Sequence, residues 1–211
     1  MQQVSWRRRR EAFLAAAACF TEVVERAWEQ PEEHERPALG EWTVRDLVGH
    51  TLRAVSTVEA YLTDELAVDG ALDLDSPIDY YVHIGRHADH AEVAERGRRA
   101  GRALGADPVP AIRDAVRRVE ERVRTAAPET VVATPAGRLT LAAYLPTRTC
   151  ELTVHVLDLA DATGTTHEIP APALEQTAVL LVDLAARLGR LESGVRLLAD
   201  RRAPRLALFG G

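Results

Sequence analysis

The sequence predicts an all-α protein: a four-helix bundle with one long crossover and a short C-terminal extension. Three observations lead there. Apolar residues recur at three- and four-residue spacing, as at Phe13, Ala17, Phe20, Val24 and Trp28. Helix start signals stand in front of such runs, at Thr43, Ser76-Pro77, Asp89 and Asp107-Pro108. No stretch alternates like a sheet strand over any length, and no internal repeat is visible. The bundle is assigned to residues 1–191 and the extension to residues 192–211.

Taken in order, the first helix is expected from about Val4 to Gln30. Arg7 to Arg10 ahead of the apolar stretch Ala12–Phe20, with Ala16-Ala17-Ala18-Cys19 resembling a lipoprotein cleavage site, could be an export signal. The helical spacing continues past that point to Trp28, and Glu22, Glu25 and Arg26 follow directly. The segment therefore reads as an amphipathic helix, with the four arginines solvated at its start. Pro31, Pro37 and Gly40 mark a polar loop. Thr43 is then an N-cap with Asp46 three residues on, and Trp42 and Leu47 hold the two positions of a hydrophobic staple. The second helix continues through Leu52, Val55, Val58 and Leu62 and fades near Val68-Asp69-Gly70. A long connection over 66–76 leads to a short helix carrying Tyr80, Tyr81 and His83, then to a restart at Asp89 with Glu92 three on. Asp107-Pro108 opens the next helix, with Val109, Ile112, Val116, Val119 and Val123 at helical spacing. Pro135-Ala136-Gly137 is a turn. Thr140–Thr163 reads helical, with Pro146 expected to kink it or split its first turn, and Gly164 as its stop. A last helix follows Pro172 to about Leu191. Val195–Leu198 and Leu206–Phe209 read as short strands or extended tail.

Composition narrows the function classes. Of the 211 residues, 46% are hydrophobic and 27% charged, which are globular values. The net charge is −6 and no basic stripe appears, so nucleic acid is excluded as a partner. All 26 basic residues are arginine, and without lysine there is no Schiff-base chemistry. Cys19 and Cys150 are too few for a disulfide scaffold; each sits in an apolar helical pattern as a small hydrophobe, which fits a reducing compartment. No stretch approaches the roughly 20 apolar residues a membrane span needs. A cytoplasmic protein is expected.

Chemistry-bearing residues gather in the helix after Thr140, where Arg148, Glu151, His155 and Asp158 interrupt an apolar face. Glu151 and His155 are four apart, so both side chains can converge on one point. Such a pair supplies two metal ligands, and a third must come from a facing element. His50 is that candidate: Leu47 and Leu52 flank it around the second helix, and Gly49 beside it leaves room for close approach. Imidazole and carboxylate suit zinc, nickel or another divalent transition ion. The competing reading is a satisfied core histidine beside a chance Glu–His pair. Asp158 could accept the spare ring N–H of His155 or stand exposed near a helix end. Arg148 could face an anionic substrate or pair with Glu151. Cys150 is rotated about 100° from Glu151 and is not counted as a ligand. His83, His87 and His90 form a second cluster, read as solvated or on the rim of the site, and Tyr80 and Tyr81 as packing or lining a pocket mouth.

Two blocks carry a resemblance. Trp42-Thr43-Val44-Arg45-Asp46-Leu47-Val48-Gly49-His50 resembles the second-helix signature of the mycothiol-dependent maleylpyruvate isomerase family, within the DinB/YfiT-like superfamily of four-helix-bundle metalloproteins. Arg148-Thr149-Cys150-Glu151-Leu152-Thr153-Val154-His155-Val156-Leu157-Asp158-Leu159-Ala160, with Ala162-Thr163-Gly164, resembles its second signature, in the same order and at the same separation. The resemblance covers about residues 4 to 190. It implies a DinB-like bundle, a zinc ion held by His50, Glu151 and His155, and mycothiol, an actinobacterial thiol, as cosubstrate. The family's isomerase carries a further C-terminal domain that contributes to its active site. Only about twenty residues follow Leu191 here, so that domain is expected to be shortened or missing; the resemblance bears on the metal site rather than on that isomerase activity.

Three functions follow. The first is a thiol transferase or isomerase in which zinc activates mycothiol for attack on a small electrophile, with Arg148 or a histidine of the 83–90 segment handling substrate charge. The second is a metal-binding bundle without catalysis. The third is a hydrolase using metal-bound water.

Overall fold

The computed structural model describes residues 5–63, 71–87 and 89–198. Among them are eight helices: α1 (Trp6–Trp28), α2 (Val44–Thr63), α3 (Pro77–His87), α4 (His90–Ala103), α5 (Val109–Thr125), α6 (Leu141–Thr163), α7 (Ala171–Arg187) and α8 (Leu191–Leu198). Two short antiparallel pairs join them: β1 (Pro37–Leu39) with β2 (Trp42–Thr43), and β3 (Val131–Thr134) with β4 (Gly137–Thr140). The fold is all-α, as the sequence predicts.

Four helices make the bundle. α1 packs against α5 and α6, and α2 packs against the same two. Phe13 and Phe20 of α1, Leu47 and Val55 of α2, Ile112 and Val119 of α5, and Tyr144, Leu152 and Leu159 of α6 meet between them with almost no exposed surface. Removing so much apolar surface from water is the main term that holds the helices together. The long crossover from α2 to α5 carries α3 and α4. α4 lies along α2, while α3 lies on α6 and α7. His50 therefore sits on the second bundle helix and Glu151 and His155 on the last, with the two helices in contact.

Local signals explain where the site helices begin and end. The Thr43 amide donates to Asp46 Oδ2 at 3.2 Å and the Asp46 amide to Thr43 Oγ1 at 3.2 Å, a reciprocal cap that fixes the start of α2. Thr140 Oγ1 accepts from the Ala143 amide at 3.2 Å and starts α6. Gly164, at φ 68°, supplies the left-handed residue that ends it. α6 runs unbroken through the buried Pro146, so its first turn is not split.

Other differences from the sequence reading have local causes. Arg9 and Arg10 are not free in solvent: Arg9 donates to the Ala142 carbonyl and Arg10 to that of Arg124 at 3.0 Å, so they tie α1 to the start of α6 and the end of α5. Helix α7 stops at Arg187, and Gly189 at φ 68° allows a new start. Val195–Leu198 accordingly belong to α8 and are neither strand nor extended tail. Leu206–Phe209 lie outside the described residues. The strand pairs are two to four residues long, too short to show alternation.

The approach of α4 to α2 is unusually close. A Cβ added to Gly49 would stand 2.3 Å from the Gly101 backbone nitrogen, and one added to Gly97 would stand 2.6 Å from the Trp42 ring. Backbone against backbone cannot yield. Gly49→Ala is expected to cost about 2–3 kcal/mol and to lower Tm by about 5–10 °C. Gly85→Ala, where nothing lies within 4 Å, should hold or raise Tm because alanine is the better helix former. Thermal unfolding of the two variants checks this, and equal loss in both would contradict it.

Candidate metal centre

His50 Nε2 lies 3.8 Å from Glu151 Oε2, and His155 Nε2 lies 3.5 Å from the same oxygen. One ligand atom from each residue can be chosen so that all three lie within 4.8 Å of one another. A tetrahedral ion with bonds of about 2.0–2.1 Å separates its donors by about 3.3–3.4 Å, so this spacing suits one small ion better than it suits direct hydrogen bonds. Two imidazole nitrogens and one carboxylate oxygen fit a zinc-like divalent ion and leave a fourth position open. The side chains are 18%, 27% and 13% exposed for His50, Glu151 and His155, which leaves the centre reachable from one side.

The two histidines are held by different means. His155 Nδ1 bonds Asp158 Oδ2 at 2.9 Å, which turns Nε2 toward Glu151. Of the two readings of Asp158, the orienting one is therefore realised. His50 Nδ1 is buried without a hydrogen-bond partner among the described residues. Its ring is fixed by packing: Trp42 lies over it with ring centroids 4.4 Å apart, and His155 meets it edge-on at 5.0 Å. Trp42 is itself anchored on α4, where its Nε1 donates to the Ala94 carbonyl at 2.9 Å and its ring fills the space left by Gly97.

Charge in the centre follows from these contacts. Burial pushes the His50 imidazole below its ordinary value, more than Glu151 raises it, so the ring is neutral and ready to donate a lone pair. Burial acts in the same sense on His155, but its bonds to Asp158 and Glu151 outweigh it and raise it to about 9. Burial would raise Glu151; the two imidazoles that face it and the charge of Arg148 instead hold it well below the usual carboxylate range.

A cleft of about 360 Å³ opens beside the triad, lined by His50 and Glu151 and by Arg53, Thr57, Tyr61, Tyr80, Tyr81 and Arg148. The Arg148 guanidinium lies 5.3 Å from the Tyr80 ring centre and 4.9 Å from that of Tyr144. Its Nε donates to Thr147 Oγ1 at 3.0 Å and its Nη2 to Tyr80 Oη at 3.4 Å. It forms no ion pair with Glu151, so the pairing reading is not realised. Tyr81 Oη lies 3.1 Å from Glu151 Oε1 and 3.0 Å from the Thr147 carbonyl. Burial and the Glu151 charge push this phenol well above its ordinary value, so it keeps its proton and donates.

His83 and His87 stack on each other at 4.3 Å and line a different hollow, with Asp73, Asp79 and Arg86. Neither lines the cleft beside the triad, and nothing is described of the side chain of His90. Cys150 is buried, with its thiol pushed by burial up to about 11. Sequence reasoning missed the part that Trp42 plays over His50 and that Tyr81 plays on Glu151. The staple position of Trp42 was a signal for packing only; nothing in the spacing of Tyr80 and Tyr81 pointed to Glu151.

The fold and the centre together define a class: a four-helix bundle with a crossover, gathering His, Glu and His from its second and last helices. Residues 9–160 match the family described as mycothiol maleylpyruvate isomerase N-terminal domain, and the chain belongs to that family. The matched span runs from α1 through most of α6 and holds every residue of the triad as well as Arg148 and Asp158. No curated protein and no solved structure matches the chain.

A metal ion would compete with a proton at His155. The raised His155 value stabilises the metal-free fold fully below pH 6.5, and that contribution is lost as pH rises through about 9. Metal-free protein should therefore lose stability across this window, and metal-loaded protein should not. Metal affinity should climb roughly tenfold per pH unit up to about pH 9, with about one proton released per ion near neutrality. Calorimetry in buffers of different ionisation enthalpy measures the proton count. His155→Ala should lose most of the bound ion by elemental analysis; full metal content there would remove His155 from the centre.

Proposed function

We propose that this chain is a cytoplasmic, zinc-dependent transferase or isomerase that presents the thiolate of mycothiol to a small electrophile. The observation that carries the reading is the juxtaposition of the His50–Glu151–His155 triad with Arg148, which has no carboxylate partner among the described residues and lines the same cleft as His50 and Glu151. Membership of the mycothiol maleylpyruvate isomerase family supports the choice of thiol. No helix among the described residues is long and apolar enough to cross a membrane.

Three protein ligands leave room for one exogenous group, as in catalytic rather than structural zinc sites. Zinc supplies a Lewis acid that draws the proton from a thiol near neutral pH, against a free-thiol pKa of about 8.5. The chain's residues do the rest. His50, Glu151 and His155 hold the ion, and Asp158 keeps His155 in the tautomer that offers Nε2. Cys150, next to Glu151 in sequence, is buried with its thiol pushed up to about 11, so it offers no thiolate near neutral pH. Arg148, clamped between the Tyr80 and Tyr144 rings, makes no hydrogen bond through Nη1 among the described residues and binds the charged end of the electrophile. One helical turn separates it from Glu151, so the electrophile's reacting carbon is brought beside the metal. A cleft of about 360 Å³ fits a small molecule.

Two measurements test this. Mycothiol should bind the metal-loaded protein and not the metal-free form in calorimetry; equal binding to both, or to neither, would remove the reading. Arg148→Gln should retain its metal while raising KM for an anionic electrophile by about 10- to 100-fold, the loss expected for a hydrogen bond between charged groups. An unchanged KM would take Arg148 out of the substrate site.

A further inference from the structure

The two carboxylate oxygens of Glu151 have separate partners. Oε2 faces both imidazoles, at 3.8 Å and 3.5 Å. Oε1 lies 3.1 Å from the hydroxyl of Tyr81, on α3. That hydroxyl is also 3.0 Å from the Thr147 carbonyl. The phenol has one proton for two acceptors, and the ionised carboxylate is the stronger. Tyr81 packs against the core on its ring side, so the hydroxyl is aimed rather than free to rotate away.

We infer that Tyr81 is a positioning residue that holds Glu151 to a single ligating oxygen and so keeps the fourth position of the centre open for the thiol. This rests on the metal reading given above. A carboxylate can bind an ion through one oxygen or two. With Oε1 engaged by Tyr81, only Oε2 is offered, and the protein supplies three donors. With Oε1 released, it can turn onto the same ion as a fourth protein donor, so that the ion with its exogenous ligand becomes five-coordinate and an incoming sulfur meets a crowded centre. The neighbouring Tyr80 reaches Arg148 and not Glu151, which makes it the natural control.

Cobalt(II) in place of zinc reports coordination number by visible absorption: four-coordinate ions absorb strongly and five-coordinate ions weakly. The cobalt-loaded wild type should show strong bands that shift when mycothiol is added. Tyr81→Phe, which removes one oxygen atom and keeps the ring, should bind cobalt with affinity within a few-fold of wild type. Its bands should be weaker and its mycothiol affinity about tenfold or more lower. Tyr80→Phe should keep the wild-type spectrum. p-Aminophenylalanine at position 81 keeps a ring and an N–H donor and should restore strong bands; it also serves if Tyr81→Phe does not fold. Wild-type spectra and mycothiol affinity in Tyr81→Phe would overturn this inference and leave the metal reading intact. So would a p-aminophenylalanine variant whose bands stay weak. A wild type that takes up no cobalt would overturn both.

Discussion

The centre depends on one crossing, where α2 lies against α6 and His50 comes level with Glu151. A carboxylate taken out of water is costly, and it stays ionised only where partners replace its hydration. Glu151 has such partners on every side: two imidazoles at Oε2, a phenol at Oε1 and the positive field of Arg148. These come from three helices. The bundle must therefore be closed, and α3 docked, before the carboxylate is fully compensated. Folding and assembly of the centre are one event rather than two.

The two histidines show two ways of fixing a ring. His155 is aimed by a charged acceptor one turn along its own helix, so its orientation is settled as soon as α6 forms. His50 has no such acceptor, and its ring is settled only when α4 brings Trp42 across it. The difference also sets their electrostatics. The acceptor raises His155, while the apolar surroundings lower His50. Without a metal, one charged and one neutral imidazole flank Glu151 near pH 7, and the positive ring offsets the carboxylate.

Much of this was legible in the sequence. Helical periodicity, the Thr43–Asp46 cap and Gly164 located α2 and α6, because those signals act within a turn or two of the residues that carry them. The four-residue step from Glu151 to His155 was readable for the same reason. His50 was legible as a candidate from its place between Leu47 and Leu52 and beside Gly49, but nothing in its own helix states which distant residue it meets; the resemblance of its block to a known one supplied that link. Trp42 over His50 and Tyr81 on Glu151 were not readable, since both depend on how the crossover folds back over the bundle. Arg9 and Arg10 misled in the opposite direction: a charge run normally means solvent, but these two reach carbonyls at the ends of other helices.

The seat that Gly97 provides for Trp42 has an evolutionary consequence. Residues 42, 50 and 97 lie on different elements, yet they behave as one heritable unit. A lineage cannot enlarge residue 97 without first shrinking residue 42, and a smaller residue 42 unseats the imidazole that depends on it. Substitution at a position with no chemistry of its own is thereby constrained through the ligand that it supports. Among relatives that keep the histidine, glycine and tryptophan should be inherited together or exchanged together.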